Sequence, residues 1–132
     1  MQDTNWIIAN ISGAKTLIDW YGSWPTFHDA EIMELFLNRH GKSWIKIHTW
    51  LMTQELEPDG KFVLEKHCVV TFDLENVNDI ELCAFNQQNV ISGLEVEPAE
   101  DGIKVILEPC YGLTGYIEAG RIALMFSPGE PE

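Results

Sequence analysis

The stretch Trp44-Ile45-Lys46-Ile47-His48-Thr49-Trp50-Leu51-Met52-Thr53 decides the fold class. Its side chains change character at every second position, the period of a strand and not the 3.6 of a helix. Ile45, Ile47 and Leu51 fall on one face; Trp44, Lys46, His48 and Trp50 fall on the other. The aliphatic face needs a core. The tryptophan face reads as the second half of that core under an N-terminal helix, where Trp20 and Tyr21 need something to cover. Its alternative is an exposed binding patch, since aromatic residues are enriched at interfaces.

The β pattern continues on both sides. Residues 30–40 read as a strand ending in the turn His40-Gly41-Lys42. Glu57-Pro58-Asp59-Gly60 is a strong turn, with proline setting φ and glycine supplying positive φ. Residues 63–74 read as the next strand, with Cys68, Val70, Phe72 and Leu74 inward. Asn76-Val77-Asn78-Asp79 reads as a short connection to a strand over 80–84. Residues 85–91 break the alternation and read as a short helix or turn. Residues 94–97 and 103–108 flank Glu100-Asp101-Gly102, and Asp-Gly between alternating runs signals a hairpin. A last strand or hairpin covers 115–126, with Gly120 a bend or turn.

Ahead of the strands, Ser12 is placed to cap a helix over 14–21, with Leu17, Ile18 and Tyr21 on one face and Gly22 as its stop. An earlier turn covers 6–10. Pro25 drives Trp24 to extended backbone and ends any helical option. The connections are too short for crossover helices, so the strands are mostly antiparallel. The expected class is α+β: an N-terminal helix packed on a mostly antiparallel sheet of about six to eight strands. At 132 residues the chain reads as one domain over residues 1–126, followed by a polar, proline-broken, flexible tail over 127–132.

Lysine and arginine number 8 against 21 aspartates and glutamates, a net charge of −13. With 45% hydrophobic residues the composition is globular and not disordered. So few bases, with no basic run, argue against direct nucleic-acid binding and against attraction to an anionic membrane. A basic partner is the natural counterpart of such a surface, although acidity also serves solubility alone. The three cysteines have no CxxC spacing, which suits a reducing cytoplasm. Cys68 and Cys83 read as buried small hydrophobes and Cys110 as inert. The N-terminus lacks the basic and apolar regions of a signal peptide, and no run approaches the roughly 20 apolar residues of a membrane span. The protein is expected to be cytoplasmic.

The densest polar cluster is Trp24-Pro25-Thr26-Phe27-His28-Asp29-Ala30-Glu31. His28, Asp29 and Glu31 can bind metal or move protons. On an extended chain Asp29 and Glu31 point one way and His28 the other, so one metal cannot take all three without a turn. Their plain role is to satisfy backbone groups where a loop becomes a strand, with Trp24 and Phe27 packing below. His48 and His67 lie on neighbouring predicted strands, and pairing would bring them near His28, but no HxH or HxxxH spacing occurs. No metal site or cofactor is assigned. Motifs of serine nucleophiles and of nucleotide phosphates are absent. The amide run Asn86-Gln87-Gln88-Asn89 suits either a polar ligand or the capping of a surface loop.

Trp24-Pro25-x-Phe27-His28-Asp29-Ala30-Glu31, Arg39, Ala84-Phe85-Asn86-Gln87-Gln88-Asn89-Val90-Ile91-x-Gly93-Leu94 and Pro109-Cys110-Tyr111-Gly112 together resemble the immunity protein 50 family. The resemblance spans about residues 11–126. It implies bacterial proteins of α+β fold that neutralise partner toxins by binding, without catalysis. The residues it points to for binding are Trp24, Phe27, His28, Asp29, Glu31, Asn86, Gln88 and Asn89, each either architectural or interfacial. The partner it implies is a cognate toxin. An acidic inhibitor suits the basic groove of a nuclease domain, its carboxylates standing in for phosphates. Further acidic patches lie at Glu55-Glu57-Asp59, Asp73-Glu75-Asp79-Glu81 and Glu95-Glu97-Glu100-Asp101. A small metal-dependent or acid/base hydrolase centred on His28, Asp29 and Glu31 is the alternative. A third option is a module that self-associates through an edge strand, the expected state being a monomer or small homo-oligomer.

Overall fold

The structure, a computed structural model, describes residues 2–131. Two short helices, α1 (Thr4–Asn10) and α2 (Ala14–Tyr21), precede six strands: β1 (Glu31–Phe36), β2 (Ser43–Leu56), β3 (Phe62–Cys83), β4 (Val90–Ala99), β5 (Gly102–Tyr111) and β6 (Thr114–Pro128). Every strand pair is antiparallel, and the sheet closes on itself in the order β1-β2-β3-β6-β5-β4. The mostly antiparallel sheet and the helices that precede it agree with the expected class. The open sheet of that expectation is instead a closed barrel.

Closure follows from one long strand. The expected connection at residues 76–79 is a bulge inside the 22-residue β3. Asn76 lies at φ 56, and the β3–β6 register slips between Val77 and Asp79. Asparagine tolerates this backbone, which is why the segment reads as a turn. Yet β6 keeps pairing on both sides of it, through Glu75↔Arg121 and Asp79↔Glu118, so the chain bends without reversing. Gly120, expected as a bend, lies opposite that bulge within β6; a Cβ on it would sit 3.2 Å from Asn76 Cβ. Below the bulge β3 pairs with β2 from Leu74 to Phe62, and above it with β6 alone. β3 thus has both neighbours over residues 68–74, β2 alone before them and β6 alone after them, a stagger that curls the sheet.

Ile45, Ile47, Val70, Phe72, Leu74, Val105, Leu107 and Ile117 fill the interior. Ile7, Leu17 and Tyr21 from the helices join the same buried cluster. Three local expectations change. Ser12 does not cap α2: its carbonyl accepts the Leu124 N–H at 2.7 Å, and Gly13 takes the cap position in left-handed backbone. Residues 4–10 form a full helix, capped by Asp3, whose carboxylate accepts the Trp6 N–H at 3.1 Å. Of the helix or turn expected over 85–91, residues 85–89 take the non-helical form, a loop, while Val90 and Ile91 already belong to β4.

The tryptophan face of β2 is no second core. Trp44, Lys46, His48 and Trp50 alternate with buried Ile45, Ile47 and Thr49 and are half-buried on the outer surface. Trp44 stacks on Phe36 at 4.2 Å between ring centres. The barrel interior is filled from its own strands, so the outer face gets only partial cover. Cys83, at the end of β3 and expected inside, is exposed; Cys68 is buried. β6 runs past residue 126, pairing Ser127 with Val69 and Pro128 with Cys68.

Candidate functional site

The barrel closes along a narrow seam between β1 and β4. Glu31 faces Val90, the Ile32 N–H donates to the Asn89 carbonyl at 2.8 Å, and the Ile91 N–H donates to the Ala30 carbonyl at 3.0 Å. The motif blocks singled out in the sequence form the two banks of this seam.

On the first bank, Phe27 (φ 57) and Asp29 (φ 62) adopt left-handed backbone that non-glycine residues rarely hold. The resulting turn, closed by the Ala30 N–H on the Phe27 carbonyl at 3.1 Å, separates the block into two layers. Phe27 is 1% exposed and packs against Phe72 and Trp24 at 5.9 and 5.7 Å between centres. Trp24 is 8% exposed, and its indole N–H has no hydrogen-bond partner among the described residues. His28 and Asp29 stay exposed, His28 Nδ1 3.2 Å from Asp29 Oδ2. Glu31 is half-buried.

On the second bank, Asn89 is 2% exposed. Its Oδ1 accepts the N–H groups of Asn86 at 2.9 Å and Leu113 at 3.0 Å, and its Nδ2 donates to the Asn86 carbonyl at 2.8 Å. Gly112 makes room for this, since a Cβ there would lie 2.6 Å from Asn89 Oδ1. The amide run thus divides as well: Asn89 ties the β3–β4 loop to the β5–β6 turn, while Asn86 and Gln88 are exposed. Of the residues expected to bind, Trp24, Phe27 and Asn89 lie beneath the surface, and His28, Asp29, Glu31, Asn86 and Gln88 present polar groups to it.

His48 and His67 do meet. His48 Nε2 is 3.1 Å from His67 Nδ1, and His67 Nε2 is 3.7 Å from Glu130 Oε1. One ring donates and the other accepts, as their tautomers dictate. Burial and the neighbouring His67 push the His48 pKa down, against Glu130 and Glu31, which raise it. His28 is paired with Asp29 instead, and no cluster of three metal-ligating side chains occurs among the described residues.

A groove of about 280 Å3 runs between the His28–Asp29 turn and β2, walled by Thr26, Tyr21, Trp50, Leu51 and Met52. Leu51 was expected inward. A register shift between Thr49 and Leu51 turns it out, to 39% exposure. The adjacent apolar pair Leu51-Met52, which breaks the alternation, is the sequence signal for this surface. A second, wider cleft of about 970 Å3 lies at the β1–β2 turn, where Arg39, His40 and Lys42 face Glu75 and Asp101.

The sequence model of the immunity protein 50 family matches residues 13–126. The chain belongs to this family. The immunity protein 50 match runs from α2 into β6 and includes both banks of the seam. No protein of curated function and no solved structure matches the chain. Among the described residues no helix is long and apolar enough to cross a membrane.

Proposed function

We propose that the chain is a bacterial, cytoplasmic, non-enzymatic immunity protein that neutralises a cognate toxin by binding it directly through an acidic surface. The observation that carries this is the immunity protein 50 match over residues 13–126. The net charge of −13 supports a basic partner, such as a nuclease domain whose groove otherwise takes phosphates. At the seam, His28, Asp29 and Glu31 offer the contact groups, joined by Asn86 and Gln88. Trp24, Phe27 and Asn89 act from beneath by holding the loops that carry them. No cofactor, membrane or nucleic acid takes part, and the chain acts as a monomer or small homo-oligomer.

Co-expression with the protein encoded immediately upstream, followed by affinity purification, tests this. A stable complex that loosens with salt is the expected result. No complex with either adjacent gene product overturns the reading. The 3.2 Å pair of His28 and Asp29 favours one alternative, a small hydrolase using an oriented imidazole. Stoichiometric zinc in protein purified without chelator would favour its metal-dependent form, and hydrolysis abolished by His28→Ala would establish it.

A further inference from the structure

β2 and β3 outrun their neighbours. β1 begins to pair with β2 at Glu31↔His48, and β6 ends its pairing with β3 at Pro128↔Cys68. Beyond those points β2 and β3 pair only with each other, through Leu51↔Glu65, Met52↔Leu64 and Leu56↔Phe62. This two-stranded arm ends in the turn at 57–60, closed by the Gly60 N–H on the Glu57 carbonyl at 2.9 Å. Its apolar residues are open to solvent: Met52 57%, Leu56 63% and Phe62 47%. An isolated hairpin of this kind is marginally stable, and its edges carry unpaired backbone groups.

The β2 edge is open for an identifiable reason. A chain continuing β1 backwards from Glu31 would lie beside Trp50 and Leu51. The left-handed residues Phe27 and Asp29 swing it away instead, and the groove beneath His28 and Asp29 stays in its place. Among the described residues no other strand flanks β2 there. The edge is also one-sided in charge. Residues 50–56 contain Glu55 and no lysine or arginine, with Asp29 at the base and Glu57 and Asp59 at the tip. Of the two bases of the arm, Lys61 follows the tip turn, its carbonyl accepting the Glu57 N–H at 2.7 Å, and Lys66 is on β3, held over Trp20 with its Nζ donating to the Trp20 carbonyl at 3.1 Å.

We infer that the β2 edge over residues 50–56 is the docking line for an extended segment of the toxin, added as a further strand. That segment carries lysine or arginine alternating with apolar residues. Backbone hydrogen bonds supply affinity, Trp50, Leu51 and Met52 meet its apolar side chains, and Asp29, Glu55 and Glu57 meet its cations. The inference rests on the toxin-binding reading and names where that binding occurs.

Amide hydrogen exchange of the full chain tests it, with two probes. One is the upstream-encoded protein. The other is a twelve-residue peptide alternating lysine with valine and threonine, set against its glutamate counterpart. The expected result is exchange over residues 50–56 slowed about tenfold or more by the captured protein and by the lysine peptide, and unchanged by the glutamate peptide. The double variant Glu55→Lys with Glu57→Lys keeps its melting temperature and loses most of the protection by the lysine peptide. A captured toxin that leaves 50–56 exchanging as in the free chain overturns the docking line and spares the toxin-binding reading. If no neighbouring gene product binds, the toxin-binding reading fails and the docking line falls with it, even where the lysine peptide alone protects residues 50–56. Protection by neither peptide nor toxin overturns it. Protection that grows with concentration of the chain alone, together with a dimer in ultracentrifugation, also overturns it by naming a second copy as the occupant.

Discussion

The side-chain oxygen of Asn89 accepts the backbone N–H of Leu113 at 3.0 Å, joining the β3–β4 loop to the β5–β6 turn inside the protein. The same oxygen takes the Asn86 N–H, and the Asn89 carbonyl takes the Ile32 N–H across the seam. One buried residue therefore holds three parts of the chain where the barrel closes, its side-chain amide two of them and its backbone carbonyl the third. Asn89→Leu removes the acceptor of two N–H groups. Leaving a buried donor unsatisfied costs about 1–3 kcal/mol, so the variant is expected to lose roughly 3 kcal/mol of unfolding free energy. Urea denaturation measures this, and an unchanged midpoint would refute the structural role.

Phe27 and His28 are adjacent yet belong to different layers, so their substitutions separate folding from binding. Phe27→Ala empties a buried site against Phe72 and is expected to cost about 3–5 kcal/mol. His28→Ala changes stability by less than about 0.5 kcal/mol, as an exposed substitution does. Under the proposed function, only His28→Ala combines native stability with weakened capture of the toxin. Thermal melts and a pull-down of both variants compare them directly.

The His48–His67 pair predicts acid sensitivity. Burial and His67 lower the His48 pKa in the fold, while Glu130 and Glu31 partly oppose the shift. The unfolded chain then binds the proton more readily than the native one, so stability rises with pH through this range. It is expected to fall as pH drops below about 6.5, the ordinary histidine value, and to keep falling until native His48 is also protonated. His48→Gln should flatten the decline between pH 7 and 5 relative to the parent chain. Equal slopes in denaturant titrations of the two proteins would remove the cause named here.

The alkaline limit has the opposite sign. Burial pushes the Tyr21 hydroxyl up to about 12, with Cys68 adding to the shift. Burial alone takes the Cys68 thiol up to about 11. Both groups keep their protons in the fold at pH values where the unfolded chain has lost them. Stability is full below the ordinary thiol pKa of about 8.5 and declines above it, first through Cys68 and then, above about 10, through Tyr21. Tyr21→Phe should retain the Cys68 portion and lose the steeper portion above pH 10. Melting temperatures from pH 8 to 11 follow both.

What the sequence determined by itself is local or periodic. Alternation at residues 44–50 and 68–74 fixes which side chains share a face, because a strand has one period. The Glu57–Gly60 turn, the Asp101-Gly102 hairpin and the Gly22 stop follow from backbone preferences of single residues. The motif blocks also sufficed to name the family. The tertiary structure decided what depends on neighbours distant in sequence. Asn76 to Asp79 is a bulge because β6 pairs straight past it, and the same four residues alone read as a turn. The outer tryptophans of β2 go uncovered because the sheet closes on its other face. Trp24 and Phe27 lie beneath the surface and His28 and Asp29 above it because two left-handed residues turn the chain at the seam, where Ala30 and Ile32 bond to Ile91 and Asn89, and Asn89 is buried by its own bonds to Asn86 and Leu113. The open β2 edge has the same cause: no residue of β2 records where β1 begins.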